Sequence, residues 1–272
     1  MVLQNKNAII YGAGGSIGGA VAKAFAGAGA RLFLTGRNLS SVQKLADEII
    51  ASGGIAEASE VDAMDNNAIN NHLDRVIKKS GTVDISFNCI GLQVLQNMPL
   101  VDMSVDDFVR PSQIAMRSHF LTATAAGKVM MKQNSGVILS LTATPGGIGY
   151  PYTAGFAPAC SAMEAFYRNL AAELGIYNIR VVNMRSAGSP DSAVFKHAID
   201  TMPDVMAGIL QKMEADTMLK KLPLMADIAN VAVFLASDMA GKITGVTVDV
   251  TCGTTAALNY RVDAVNPSPN LS

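Results

Sequence analysis

Ala8-Ile9-Ile10-Tyr11-Gly12-Ala13-Gly14-Gly15-Ser16-Ile17-Gly18-Gly19-Ala20-Val21-Ala22 is a short apolar strand that enters a glycine turn and leaves it as an alanine-rich helix. Such a junction leaves backbone N–H groups and the positive end of a helix dipole pointing at one spot, where a pyrophosphate can sit. Glycine suits the turn because a side chain there would block close approach of the anion. Gly12, Gly14 and Gly18 do not fit G-x-G-x-x-G, so the turn by itself also reads as tight strand-to-helix packing without a ligand. Ser16 and Ile17 open the helix, and Ser16 can offer its amide or its hydroxyl to a phosphate.

Outward from this turn, short β-branched runs alternate with helical periodicity. Strands are predicted at 7–11, 31–35, 56–61, 83–88, 136–141, 180–185 and 246–250, and helices at 17–27, 40–52, 66–80, 106–133, 157–177 and 227–236. That alternation implies an α/β fold, a single domain with a doubly wound parallel sheet (Rossmann-like) whose strand ends converge on a crevice. The stretch at about 189–222 interrupts it with helix-compatible, Met-rich sequence (Met202, Met206, Met213, Met218) and reads as a helical lid over an apolar substrate. The domain is therefore expected over 1–260, with residues 261–272, which hold Pro267 and Pro269, as a C-terminal tail.

Composition narrows the class. Half of the 272 residues are hydrophobic and 16% are charged, enough apolar surface for a large core. The formal charge of −1 gives no reason to expect nucleic acid or an anionic membrane as partner. No uninterrupted apolar run is long enough to span a bilayer and no leader pattern opens the chain, so a cytoplasmic location is expected. Cys89, Cys160 and Cys252 are widely spaced without a CxxC pair, which argues for a reducing compartment and against a disulfide frame or a metal site.

At the end of the second strand stands Leu32-Phe33-Leu34-Thr35-Gly36-Arg37-Asn38. An acidic side chain here would bond adenosine ribose hydroxyls, whereas a cation attracts a 2′-phosphate. Arg37 therefore favours NADP(H) over NAD(H), the plainer account being an exposed surface arginine.

Taken together, the strand-helix alternation, the turn and the stretch Asp227-Ile228-Ala229-Asn230-Val231-Ala232-Val233-Phe234-Leu235-Ala236-Ser237-Asp238 with Ile243-Thr244-Gly245 resemble the short-chain dehydrogenase/reductase family over roughly residues 5–255. Against that family's T-G-x-x-x-G-x-G, Gly12 and Gly18 match, Tyr11 replaces Thr and Ser16 replaces the middle Gly. The resemblance implies that Asp62 contacts adenine and that Asn88-Cys89-Ile90-Gly91 stands for N-N-A-G, placing Asn88 and Gly91 beside the cofactor. Asn88 serves equally well as a brace between central strands. The family's Pro-Gly after the sixth strand becomes Ala187-Gly188. The family also implies a homo-oligomer, dimer or tetramer, assembled through the helix at 157–177.

The family's chemistry uses Asn, Ser and Tyr-x-x-x-Lys, and this chain departs at all four. Ala115 stands at the Asn, Ala143 at the Ser, and Gly155-Phe156-Ala157-Pro158-Ala159-Cys160 puts Phe156 and Cys160 at the Tyr and Lys. A phenyl ring has no proton to give and a neutral thiol no fixed positive charge. Three readings follow. The first is an atypical NADP(H)-dependent oxidoreductase acting on an apolar small molecule, with Thr142, Tyr150, Tyr152 or His119 as substitute acid and Arg117 or Arg185 gripping an anionic substrate; the more ordinary accounts are packing for the Tyr and His residues and surface or ion-pair roles for the arginines. The second is a non-catalytic dinucleotide-binding sensor or partner subunit, a pseudoenzyme. The third is a non-redox lyase or cyclase, with Cys160 as a conceivable nucleophile.

Overall fold

The computed structural model of the chain describes residues 1–256; the tail expected at 261–272 lies outside the described residues. Strands β1 (Asn7–Tyr11), β2 (Arg31–Gly36), β3 (Ile55–Glu60), β4 (Ile85–Asn88), β5 (Gly136–Ala143), β6 (Ile179–Ser186) and β7 (Thr247–Val250) form one sheet in the order β3-β2-β1-β4-β5-β6-β7. Every pairing is parallel. Between them lie α1 (Ser16–Gly27), α2 (Leu39–Ala51), α3 (Asn66–Ser80), α4 (Val105–Gln133), α5 (Phe156–Leu174), α6 (Ala193–Thr201), α7 (Pro203–Ala215) and α8 (Met225–Ala236).

Period-two alternation divides the central strands between two cores. Ala8 and Ile10 of β1, Leu32 and Leu34 of β2, and Val137 and Leu139 of β5 face one core, which they share with α1, α2 and α8. Ile9, Tyr11, Phe33 and Ile138 face the other, against α3, α4 and α5. Burial on both faces is why these strands read as continuous apolar runs and pair in parallel. The chain reverses its winding between β1 and β4, and the gap at their carboxyl ends is where such sheets bind ligands.

Two boundaries differ from expectation for identifiable reasons. Residue 83 is not in β4, because the Val83 amide donates to the Gln133 side chain (2.9 Å), which also donates to the Val83 carbonyl (2.9 Å). β5 runs two residues further than expected because it stays paired with β6 as far as Ala143↔Ser186. The lid residues form α6 and α7. Asn38, Asp65, Ser104 and Ser192 cap α2, α3, α4 and α6 through their side chains, whereas α1 starts after Gly15 without a side-chain cap. Its first amides are thus left to other partners.

One core residue sets a pH limit on this fold. His72, on the inner face of α3, is buried and neither ring nitrogen has a partner. Burial, reinforced by the nearby Arg75 charge and opposed by Glu57, holds its pKa at about 4 against an ordinary 6.5. The unfolded chain therefore binds this proton more readily, so the stability contributed by neutral His72 is complete above about pH 6.5 and drains away as pH falls through 4. The gap is worth roughly 3 kcal/mol. Urea unfolding at pH 7 and pH 4.5 should show His72→Leu gaining on the parent at the lower pH; an equal difference at both would show that this imidazole does not carry the acid limb. Buried His119, held at about 3 by burial, adds to the same limb.

Candidate active site

The glycine turn is built by close backbone packing. Gly12 has φ +81°, and a Cβ there would lie 3.0 Å from the Cys89 carbonyl oxygen and 3.1 Å from Ile90 Cα. A Cβ on Gly18 would collide with the Gly12 carbonyl and come within 2.9 Å of Ala13 Cα. These two positions admit glycine only, because the obstructing atoms are backbone. The Gly12 and Ala13 amides both donate to the Thr35 carbonyl at 3.1 Å, fixing the turn to the end of β2. Cys89 closes the corner, its Sγ donating to the Tyr11 carbonyl at 3.1 Å, and burial pushes its thiol up to about 12.

Above this turn lies a cavity of about 830 Å³. The structure brings Gly12, Gly14, Ser16, Ile17, Gly18, Arg37, Asp62 and Gly91 into its wall. Arg37 and Asp62 are the only charged groups among the lining residues. The Asp62 carboxylate accepts the Met64 amide at 2.9 Å, which orients it at the end of β3. Two expected contributors stand behind the wall instead. Asn88 is buried, donating to Thr122 Oγ1 (2.8 Å) and accepting from the Ile90 amide (3.0 Å), so it braces β4 against α4. Gly188 lies under the lid, where a Cβ would come within 2.5 Å of Met213 Cε and 2.7 Å of Phe195 Cζ.

Other wall residues had no sequence signal. Ile114 and Ser118 come from α4, and Ser192 and Val194 from the start of the lid. Ser192 is legible only as a helix cap, its Oγ accepting the Phe195 amide.

The four positions that depart from the family pattern do meet. Ala115, Cys160, Ala159 and Met163 form a small buried cluster of their own, with Leu92, Ala143 and Phe156 packed against it. Ala115 and Cys160 are fully buried. Burial pushes the Cys160 thiol up to about 11, opposed by a hydrogen bond with the Ala143 backbone, with the Glu164 charge raising it and Arg185 lowering it to lesser degrees. A thiol so held is not a nucleophile at neutral pH, which removes the role considered for it in a lyase or cyclase.

None of the substitute acids faces the cavity. Thr142 is buried, donating to Glu164 Oε1 (2.9 Å) and accepting from Asn183 Nδ2 (2.7 Å). Tyr150 and Tyr152 are exposed on the loop before α5, outside the cavity lining; the Tyr152 carbonyl accepts the Asn97 amide at 3.0 Å. His119 is buried against Tyr167, with Nδ1 and Oη 2.8 Å apart. The two arginines considered for substrate are engaged elsewhere. Arg117 Nε donates to the Met64 carbonyl (2.8 Å), and Arg185 is paired with Glu164 and Asp249. Ser118, the hydroxyl that does line the cavity from α4, donates to the Ile114 carbonyl at 2.7 Å.

Comparison with known proteins gives the arrangement a family. A family model described as Enoyl-(Acyl carrier protein) reductase matches residues 12–255. The 7alpha-hydroxysteroid dehydrogenase of Escherichia coli (strain K12) is 32% identical over 257 residues, covering 94% of this chain and 97% of its own. The 2,3-dihydro-2,3-dihydroxybenzoate dehydrogenase of Bacillus subtilis (strain 168) is 30% identical over 245 residues, covering 89% and 93%. Among solved structures, NAD+-bound xylitol dehydrogenase superposes with a TM-score of 0.86 at 26% identity, covering 93% of this chain and 100% of that one. With its seven-stranded parallel sheet, its glycine turn and these relatives, the chain belongs to the short-chain dehydrogenase/reductase family.

Proposed function

We propose that this protein is an NADP(H)-dependent oxidoreductase that acts on an apolar small molecule without the family's Tyr/Lys acid. The observation that carries the cofactor half is the cavity wall, which the glycine turn lines with Gly12, Gly14, Gly15 and Gly18 and on which Arg37 is the sole cation. These residues fit a dinucleotide: the uncapped start of α1 offers amides to the pyrophosphate, Asp62 stands at the adenine end, and Arg37 waits at the ribose. When bound, NADPH supplies a hydride.

The residues around the substrate end restrict what can be reduced. Ala115, Ala143, Phe156 and Cys160 form an apolar, largely buried cluster outside the cavity lining, which we read as the floor of the substrate end, with no acid on it. Reducing a ketone leaves a basic alkoxide that needs a proton at once, whereas reducing an activated alkene leaves a stabilised enolate that water protonates. The floor therefore favours the alkene. The description of the matching family model, which names an enoyl reductase, supports that direction. A second reading, a dinucleotide-binding sensor or partner subunit without turnover, draws on the same floor.

Titration with NADPH and NADH, followed by NADPH absorbance with panels of ketones and of activated alkenes, separates the two. Consumption with alkenes alone supports the reductase; binding without turnover supports the sensor; faster ketone turnover removes the argument from the floor. On the outer face of α4 and α5, Phe120 is half exposed and lies against Phe166 with ring centroids 6.0 Å apart and planes tilted by 50°, which supports assembly as a homo-oligomer through this face. Among the described residues no helix is long and apolar enough to cross a membrane.

A further inference from the structure

The lid is held to the body by few polar contacts, and one of them enters the glycine turn. The Ala193 amide, first in α6, donates to Ser16 Oγ at 2.9 Å. Apart from the Ser189 hydroxyl to the carbonyl of nearby Ala187 (3.4 Å), only two other hydrogen bonds among the described residues join 189–222 to the rest: the Met225 amide to the Asp191 carboxylate (3.1 Å), and the Leu219 amide to the Cys252 carbonyl (3.2 Å). Both lie near the ends of the segment. Apolar anchoring is thin as well, since α6 buries no residue fully and α7 only Met206. A segment packed this way opens more easily than the sheet beneath it.

Ser16 is also where the lid meets the proposed cofactor. Ser16, Ser192 and Val194 line the same cavity. A hydroxyl has one proton to donate and two lone pairs. Ser16 Oγ can accept the Ala193 amide on one lone pair while its own proton remains free for an anionic oxygen on the turn. An anion there would polarise the hydroxyl and strengthen its acceptance of the Ala193 N–H. A glycine at position 16 would make neither bond.

We propose that Ser16 is a latch that couples occupancy of the glycine turn to closure of the lid, by bridging the Ala193 amide and a phosphate oxygen of the dinucleotide. The coupling rests on the cofactor reading above; the latch itself does not. Ser16 acts as a positioning residue, and its loss should be seen in the lid before it is seen in chemistry.

Limited proteolysis of the full chain, scored by cleavage between 193 and 222, reads both parts. Without nucleotide, Ser16→Ala should be cut in the lid about three- to tenfold faster than the parent, the range a neutral hydrogen bond spans. Ser16→Thr, which keeps the hydroxyl, should restore the parental rate. Equal rates for the parent and Ser16→Ala overturn the latch. With saturating NADPH, protection of the lid should be larger in the parent than in Ser16→Ala. NADPH that binds both proteins and protects both equally overturns the coupling alone; NADPH that binds neither overturns the coupling together with the cofactor reading.

Discussion

Replacing Glu164 with alanine should destabilise the fold by about 3–5 kcal/mol, the cost of leaving one member of a buried ion pair behind. The Glu164 and Arg185 side chains are 9% and 11% exposed. Glu164 Oε1 accepts from Arg185 Nε (3.0 Å) and from Thr142 Oγ1 (2.9 Å), and Oε2 accepts from Arg185 Nη2 (2.6 Å). Without the carboxylate, the guanidinium keeps only Asp249, itself 40% exposed, and the Thr142 hydroxyl loses its shortest acceptor. The pair joins α5 to β6 beside the loop that follows β5. A Cβ on Gly146 would lie 2.6 Å from Glu164 Oε1 and 2.9 Å from Cys160 Cβ, and one on Gly147 2.7 Å from the Arg185 guanidinium. Losing the pair therefore loosens the apolar floor as well as the helix. Glu164→Gln, which keeps shape and some hydrogen bonding, should fall between. A combined Glu164→Met and Arg185→Met variant should lose less than the sum of the two single changes, since it strands no charge. Urea unfolding of the parent, Glu164→Ala, Glu164→Gln, the two single Met variants and the double variant decides it, and a loss below about 1 kcal/mol in Glu164→Ala would mean that the pair is solvated like a surface bridge.

That network also marks where sequence reading stops. Arg185 and Glu164 stand 21 positions apart, and Arg185 and Asp249 stand 64 apart, on three different elements. No local pattern links them, so the sequence leaves both a substrate grip and an ion-pair role open for Arg185 and names no partner for it. The strands themselves were legible because each needs only its own residues: Ala8 to Tyr11 alternate between two cores, and both faces are apolar. The glycine turn was legible because its glycines and its helix start are consecutive, although Thr35, Cys89 and Ile90, on which it packs, are not. The fold gathers Ala115, Ala143, Phe156 and Cys160 from α4, β5 and α5, and only likeness to a family pattern could anticipate that meeting. Ser16 and Ala193 are 177 positions apart, and the lid's helical composition says nothing about where its first amide points. Thr142 failed as a candidate acid because a hydroxyl at the end of a central strand is claimed by its buried polar neighbours before any substrate arrives.

Exchanging Arg37 for aspartate should weaken NADPH binding by about 100-fold, close to 3 kcal/mol, while NADH binding holds or improves. Arg37 is exposed at the end of β2 and has no ion-pair partner among the described residues, so its guanidinium is free to meet a phosphate. The polar groups next to it are already committed. Asn38 Oδ1 accepts the Ser40 and Ser41 amides at 3.0 and 3.4 Å, the Ser40 hydroxyl donates to the same oxygen at 2.7 Å, and the Ser41 hydroxyl donates to the Asn38 carbonyl at 2.9 Å. The start of α2 is thus capped from within, and Arg37 is left as the main partner for a 2′-phosphate. A charge-assisted hydrogen bond contributes roughly 1.5–3 kcal/mol, and a carboxylate in its place adds repulsion while offering an acceptor to a free 2′-hydroxyl. Because the guanidinium is exposed, the preference should shrink as salt rises, and Arg37→Asp should show little of that salt dependence. Paired NADPH and NADH titrations of both proteins at low and high ionic strength measure each term. A parent that binds the two nucleotides equally would place Arg37 among ordinary surface arginines, and the cavity's lone cation would then need another anion to explain it.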